Sequence, residues 1–258
     1  MTDSLVLTQE KLPGIAMITL NRPKKCNALN VSLLENLCSA IKYCHQKTGI
    51  RVLILNGNGP VFCSGMDLHE ASNHDIAHTS SKMLAKTLKM IYFSPLITIA
   101  ATHGAAIAEG AGIMSACDFT IASEDLRIAF PETSLGLVAG LVITLLHRKL
   151  QESYIRELVL LGGNIQVERA HTMGLVTRIV PSANVIDEAL NIASQILQNA
   201  PGATATSKRL IEEFSTSSLE NEIDKALDYH MQIRHSREAR EGIHTFLEKR
   251  QPSWNKQS

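Results

Sequence analysis

Four short segments of the chain read as strands: Ser4 to Leu7, Ile15 to Leu20, Val52 to Leu55 and Leu96 to Ala101. The last three are apolar runs, the pattern of strands buried on both faces. Between them apolar residues recur at helical intervals, Leu33, Leu34, Leu37, Ala40 and Ile41 in one stretch and Met83, Leu84, Leu88 and Ile91 in another. The order strand, strand, helix, strand, helix, strand predicts an α/β core. Beyond Pro131 the pattern turns almost wholly helical, with helices predicted over 151–161, 168–173, 183–199, 203–213, 219–235 and 237–249, and Pro181 and Pro201 as breaks. No low-complexity linker separates the two halves. The helical half therefore reads as an appendage to the same core.

Two small-residue turns follow strand-like runs, FCSGMD at 62–67 and HGAAIAEGAG at 103–112. Glycine and alanine let a ligand approach the main chain, and the first N–H groups of a helix face outward toward an anion. Two such turns can each donate one N–H to a single oxygen, as an oxyanion hole does when it stabilises a thioester enolate.

Composition narrows the partners. The 258 residues fit one sizeable domain. Basic and acidic side chains balance at 25 each, with no basic patch interleaved with aromatics, so nucleic acid is not an expected partner. Hydrophobic content of 45% with only 4% aromatic points to an aliphatic core, and the longest apolar stretch, 135–146, is too short to span a bilayer. No membrane partner is expected. The first ten residues lack a basic stretch followed by an apolar one, so no signal peptide is expected. Five cysteines without a CxxC pair suit free thiols in a reducing, cytoplasmic setting.

Six segments then occur in a telling order: NRPKKCNALN (21–30), VFCSGMDL (61–68), the 103–112 turn with ACDFTIAS (116–123), FPETSLGL (130–137), ERAHTMGLVTRIV (168–180) and REGIHTFLEKRQPSW (240–254). Together they resemble the landmarks of the crotonase family, the enoyl-CoA hydratase/isomerase superfamily, over about nine-tenths of the chain. The resemblance implies an α/β spiral of repeated ββα units over 1–195, followed by a helical trimerisation region over 196–258. It also implies a homotrimer or hexamer, with acyl-CoA as the substrate and no cofactor beyond the coenzyme A it carries.

By the same resemblance, the oxyanion donors are the backbone amides of Met66 and Glu109, with Gly65 and Gly110 admitting the tight turns. The main chain across Met66, Asp67, Leu68 and His69 is expected to contact the pantetheine and adenine part, beside Gly110. Lys24 or Lys25 would approach the nucleotide phosphates as mobile charges, and Lys249 would reach a neighbouring subunit's ligand. Glu132, in FPETSLG, aligns with the family's general acid/base.

The chain departs from the family twice. Where many members carry three glycines it has Ala108-Glu109-Gly110, and where hydratases carry a first glutamate it has Gly112. One carboxylate suffices to move a double bond from the 3 to the 2 position of an enoyl-CoA, because a single base can remove a proton and return it elsewhere along the dienolate. Hydration asks for more, and Glu109, three residues before Gly112 on roughly the same helical face, is a minor candidate to help with it. As a first-turn acid, Glu109 equally suits the helix dipole. A family decarboxylase or thioesterase, or a silent acyl-CoA-binding protein, are the other readings. The ten histidines form no HExxH and no metal-ligand spacing occurs; Ser64 lacks a GxSxG elbow, and Gly110-Ala111-Gly112 is a fragment of a dinucleotide fingerprint.

Overall fold

The computed structural model describes residues 4–71, 74–213, 237–238, 241, 245 and 248–255. Its largest sheet is built from β1 (Val6–Leu12), β2 (Ile15–Leu20), β3 (Val52–Gly57), β4 (Ile97–Thr102), β6 (Phe119–Ser123) and β9 (Arg178–Val180), side by side in that order. β1 and β2 form an antiparallel hairpin, and every later pair is parallel. A second sheet holds β5 (Ala105–Ile107), β7 (Arg127–Ala129) and β8 (Ile165–Gln166).

Both faces of the main sheet are covered, which explains its apolar strands. Ile15, Met17, Val52, Ile54, Ile97 and Ile99 pack toward Ala189, Ile192, Ala193 and Ile196 of α8 (Val185–Leu197). The alternate residues Ala16, Ile18, Leu53 and Leu55 join the larger cluster with Leu33, Leu34, Leu37 and Ile41 of α1 (Val31–Gln46). α3 (His74–Tyr92) adds Leu84, Leu88 and Ile91 to that cluster. β1 is the edge strand, exposed after Val6 and carrying Gln9, Glu10 and Lys11, residues that discourage pairing with another chain.

The α/β reading holds, with differences in detail. The first strand starts two residues later than expected and runs on to Leu12, because its hairpin partner β2 extends the ladder. The part beyond Pro131 is not wholly helical: β8 and β9 interrupt it, too short to leave a period-2 signal. The expected helices at 151–161, 168–173, 183–199 and 203–213 appear as α6 (Glu152–Leu161), α7 (Val167–Met173), α8 and α9 (Pro201–Glu213). α8 runs through position 196, across the division expected between core and helical region. The helix expected over 219–235 lies outside the described residues, as does most of the one over 237–249. Among the described residues no helix is long and apolar enough to cross a membrane.

A single buried amide ties the site-bearing loops together. Asn27 is inaccessible to solvent and sits at φ +53°, in the left-handed region that asparagine tolerates. Its Nδ2 lies 2.9, 2.9 and 3.1 Å from the carbonyl oxygens of Asn58, Val61 and Phe62, and its Oδ1 accepts the Arg22 N–H at 2.9 Å. An apolar replacement leaves the buried Phe62 carbonyl without this partner, at about 1–3 kcal/mol, and also loses the part-buried bonds to Arg22, Asn58 and Val61. Asn27→Ala is therefore expected to lower the unfolding free energy by roughly 3 kcal/mol or more, measured by urea denaturation. A loss under about 1 kcal/mol would mean that water replaces the amide.

Candidate active site

Met66 owes its position to a one-residue parallel bridge. The Leu29 N–H donates to the Gly65 carbonyl at 2.8 Å, and the Asp67 N–H donates to the Leu29 carbonyl at 2.9 Å. Leu29 thus bonds to the residues on either side of Met66 and turns the Met66 N–H to the opposite side. The segment is braced further by Arg22, whose Nη1 donates to Asp67 Oδ2 at 2.6 Å and to the Ala28 carbonyl at 3.0 Å. That hydrogen bond from Arg22 is the main reason the Asp67 carboxyl is held below the usual carboxylate range. Glu70, in α2 (Leu68–Ala71), accepts the Val31 N–H at 2.8 Å, while Asn30 caps α1 by accepting the Leu33 N–H at 2.9 Å.

The second turn lies against the first. Cys63 donates to the Ala105 carbonyl at 3.1 Å, and its own carbonyl accepts the Ile107 N–H at 3.0 Å. Such close approach requires glycine. A Cβ on Gly110 would lie 2.4 Å from the Cys63 carbonyl oxygen, and Gly65, at φ +90°, would place one 3.0 Å from the Ile107 carbonyl. Ala108, at φ +50°, then turns the chain into α4 (Glu109–Ala116) and offers no side-chain cap, so the first-turn amides of α4 have no capping oxygen.

Glu132 comes from the short helix Pro131–Leu135, seated beside the fully buried Phe130. Its side chain is 4% exposed, and among the described residues neither carboxylate oxygen has a hydrogen-bond partner. Burial pushes its carboxyl above the ordinary value, and the charge of Glu109 adds to the shift.

A cavity of about 500 Å³ brings Met66, Glu109 and Glu132 together. Its other walls are His78, Ser81, Lys82, Leu84 and Ala85 of α3, with 78, 81, 82 and 85 on one helix face, and the segment Val138 to Val142 that leads into α5 (Gly140–Leu146). No sequence motif marked the α3 residues; their i, i+3, i+4, i+7 spacing is the signal that one helix face lines the site. A second, mostly apolar cavity of about 510 Å³ shares Ala85 and Leu141 with the first and is walled by Leu88, Tyr92, Phe93 and Leu145.

Position 112 supplies no carboxylate and has no space for one, since a Cβ on Gly112 would come 2.9 Å from Val142 Cγ2. The Glu109 side chain does point inward: its Oε2 accepts the Met66 N–H at 3.1 Å. The other expected binding residues are placed as follows. Gly110 is buried behind the cavity against Cys63. The Asp67 side chain is bound to Arg22 and also accepts the His69 N–H at 3.0 Å. Leu68 is exposed, Lys24 and Lys25 lie on the surface in the short helix Pro23–Lys25, and Lys249 is exposed at φ +54°. None of these lysines lines the cavity.

The cysteines form no disulfide, and burial pushes the Cys63 and Cys117 thiols up to about 12, which keeps both protonated. Among the described residues no group of three or more His, Cys, Asp or Glu could hold a metal ion.

The family model described as enoyl-CoA hydratase/isomerase matches residues 10–257. The chain is 29% identical to the 2,3-dehydroadipyl-CoA hydratase of Escherichia coli, covering 98% of this chain and 99% of that one. It is 30% identical to the human enoyl-CoA hydratase domain-containing protein 3, mitochondrial, over 95% of this chain and 82% of the relative. Among solved structures it superposes on an enoyl-CoA hydratase from Mycobacterium smegmatis with a TM-score of 0.93 at 27% identity, covering 98% and 100% of the two chains. The match to an enoyl-CoA hydratase from Bacillus anthracis gives 0.92 at 30% identity, over 96% and 98%. With its two sheets, its covering helices and this full-length match, the chain has the crotonase fold and belongs to the enoyl-CoA hydratase/isomerase family.

Proposed function

We propose that this protein acts on an enoyl-CoA thioester through a stabilised enolate, with Glu132 as the acid/base and the backbone amides of Met66 and Glu109 as the oxyanion hole. The observation that carries this reading is the buried, unpartnered Glu132 carboxyl in the same cavity as Met66 and Glu109. Proton transfer beside a thioester carbonyl puts charge on its oxygen, and each well-placed N–H offsets about 3 to 4 kcal/mol of that. A carboxyl raised by burial is matched to proton transfer near neutral pH. Shifting a double bond needs only this one base.

The thioester oxygen would sit at the Met66 N–H, and the adjoining apolar cavity would receive the acyl tail. The carbonyls of 66–69, rather than the engaged N–H groups of Met66, Asp67 and His69, would meet the pantetheine and adenine. Lys24 and Lys25 would approach the phosphates. The helical C-terminal part would assemble trimers and carry Lys249 to a neighbour's ligand, so light scattering should give three or six times 28.2 kDa. A monomer at micromolar concentration removes Lys249 from the site.

Glu132→Gln keeps the size of the side chain and removes the base. Turnover of a 3-enoyl-CoA or crotonyl-CoA is expected to fall by roughly two to four orders of magnitude while acyl-CoA still binds. Turnover within about threefold of the parent would exclude Glu132 as the acid/base.

The same residue sets a pH dependence of stability. Because the folded protein raises the Glu132 carboxyl, its contribution is fully present below the ordinary value of 4.5 and is lost as pH rises through the folded value. Glu132→Gln should therefore raise Tm at pH 7 and give no gain at about pH 4 in paired thermal melts. An equal gain at both pH values would assign it to packing instead.

A further inference from the structure

Glu109 stands where the family's glycine would be and points its carboxylate at the group expected to bind substrate. Its Oε2 lies 3.1 Å from the Met66 nitrogen, and a Cβ on Gly65 would lie 3.1 Å from the same oxygen. One carboxylate oxygen thus occupies the space beside Gly65 at the Met66 N–H, in the place a thioester oxygen would take. A carbonyl and a carboxylate cannot both accept this one N–H at full strength. Substrate must move the Glu109 side chain, which is tethered at the first residue of α4 and remains in the cavity it already lines. The cavity holds one other carboxyl, Glu132, and Val142 closes off position 112.

We propose that the Glu109 side chain is the second catalytic carboxylate of this enzyme, resting on the Met66 N–H until the thioester oxygen displaces it, and that it makes the enzyme a hydratase. This rests on the enoyl-CoA reading above. In the step, the displaced Glu109 carboxylate takes a proton from a water molecule as the water oxygen bonds to C3. The C2=C3 pair moves toward the thioester oxygen, which the Met66 and Glu109 amides hold as an enolate. Glu132, entering as the neutral acid, gives its proton to C2 and leaves as a carboxylate. One water has then been added, Glu109 holds a proton, Glu132 lacks one, and exchange with solvent restores both. The roles follow from the surroundings: Glu132 is buried with no hydrogen-bond partner among the described residues, which favours its neutral form and the part of acid, whereas Glu109 gives up its one contact to the arriving oxygen and is left facing the cavity.

The test measures hydration of a 2-enoyl-CoA and isomerisation of a 3-enoyl-CoA by the parent protein and by Glu109→Gln, Glu109→Ala and Glu132→Gln, each with KM and kcat separated. Both Glu109 variants keep the backbone donor. Hydration kcat is expected to fall roughly 10²–10⁴-fold in both, a larger loss than in isomerisation. Glu109→Ala should also lower KM, because nothing then competes for the Met66 N–H. Hydration by Glu109→Gln within about threefold of the parent overturns the catalytic role, and a raised KM in Glu109→Ala overturns the resting position. If the parent turns over neither substrate, or Glu132→Gln impairs neither reaction, the enoyl-CoA reading itself fails and this proposal falls with it.

Discussion

Asn27 joins two loops that are otherwise paired only by a one-residue bridge between Leu29 and Met66 and a few flanking bonds. The NRPKKCNALN loop leaves β2, and the segment through VFCSG leaves β3; both run over the ends of parallel strands, where backbone groups have no ladder partners. One buried side-chain amide meets three carbonyls of one loop and an N–H of its own. With the loops so fixed, Leu29 can bracket Met66 and turn its N–H toward the cavity. A backbone amide has no rotamer of its own to adjust, so its aim is only as good as the main chain on either side. Preorganisation of this donor therefore depends on a residue that does not line the cavity.

The same economy brings the second turn into place. Parallel bonding of residues 62 and 63 to 103–107 sets the two turns edge to edge, and Gly110 lets the start of α4 press onto Cys63. The proposed oxyanion site would then be a property of two strand ends and one helix start. A backbone donor asks for no particular side chain, so a glutamate can occupy position 109 without breaking the turn. A side chain placed there lines the cavity with Met66 and Glu132.

The buried strands and the α1 and α3 faces were legible because apolar runs and 3.6-residue spacing have a direct physical cause in two-sided burial. β5, β7 and β8 were not, since strands of two or three residues carry no period and are held by tertiary pairing. In the site, the glycines of both turns stood out from local chemistry alone. Glu132 is different: a carboxylate after proline is an ordinary helix-entry residue, and only the order of motifs along the chain singled it out. The spacing of His78, Ser81 and Lys82 puts them on one face of α3, but that this face meets the cavity is a long-range fact of α3 packing over α4. The direction of the Glu109 side chain was equally hidden, because both a helix-dipole role and an inward role fit a first-turn acid.

Asp67 and Glu132 show how burial alone fails to decide a carboxylate's role. They are 7% and 4% exposed, nearly the same, yet Asp67 is shifted below its ordinary range and Glu132 above it. The difference is hydrogen bonding: Asp67 receives Arg22 and the His69 N–H, while Glu132 receives no donor from the described residues. Asp118 accepts from Thr98 and from the buried Lys208 at 2.8 Å, and fastens α9 to the sheet. Asp67, with its fixed donors, holds architecture and stays ionised near neutral pH. A carboxylate denied donors destabilises the fold whenever it ionises, and for that reason keeps its proton toward neutral pH and has one to give. Glu109 is held by a single N–H that the thioester oxygen would also require, so the same contact that settles its resting position makes it releasable.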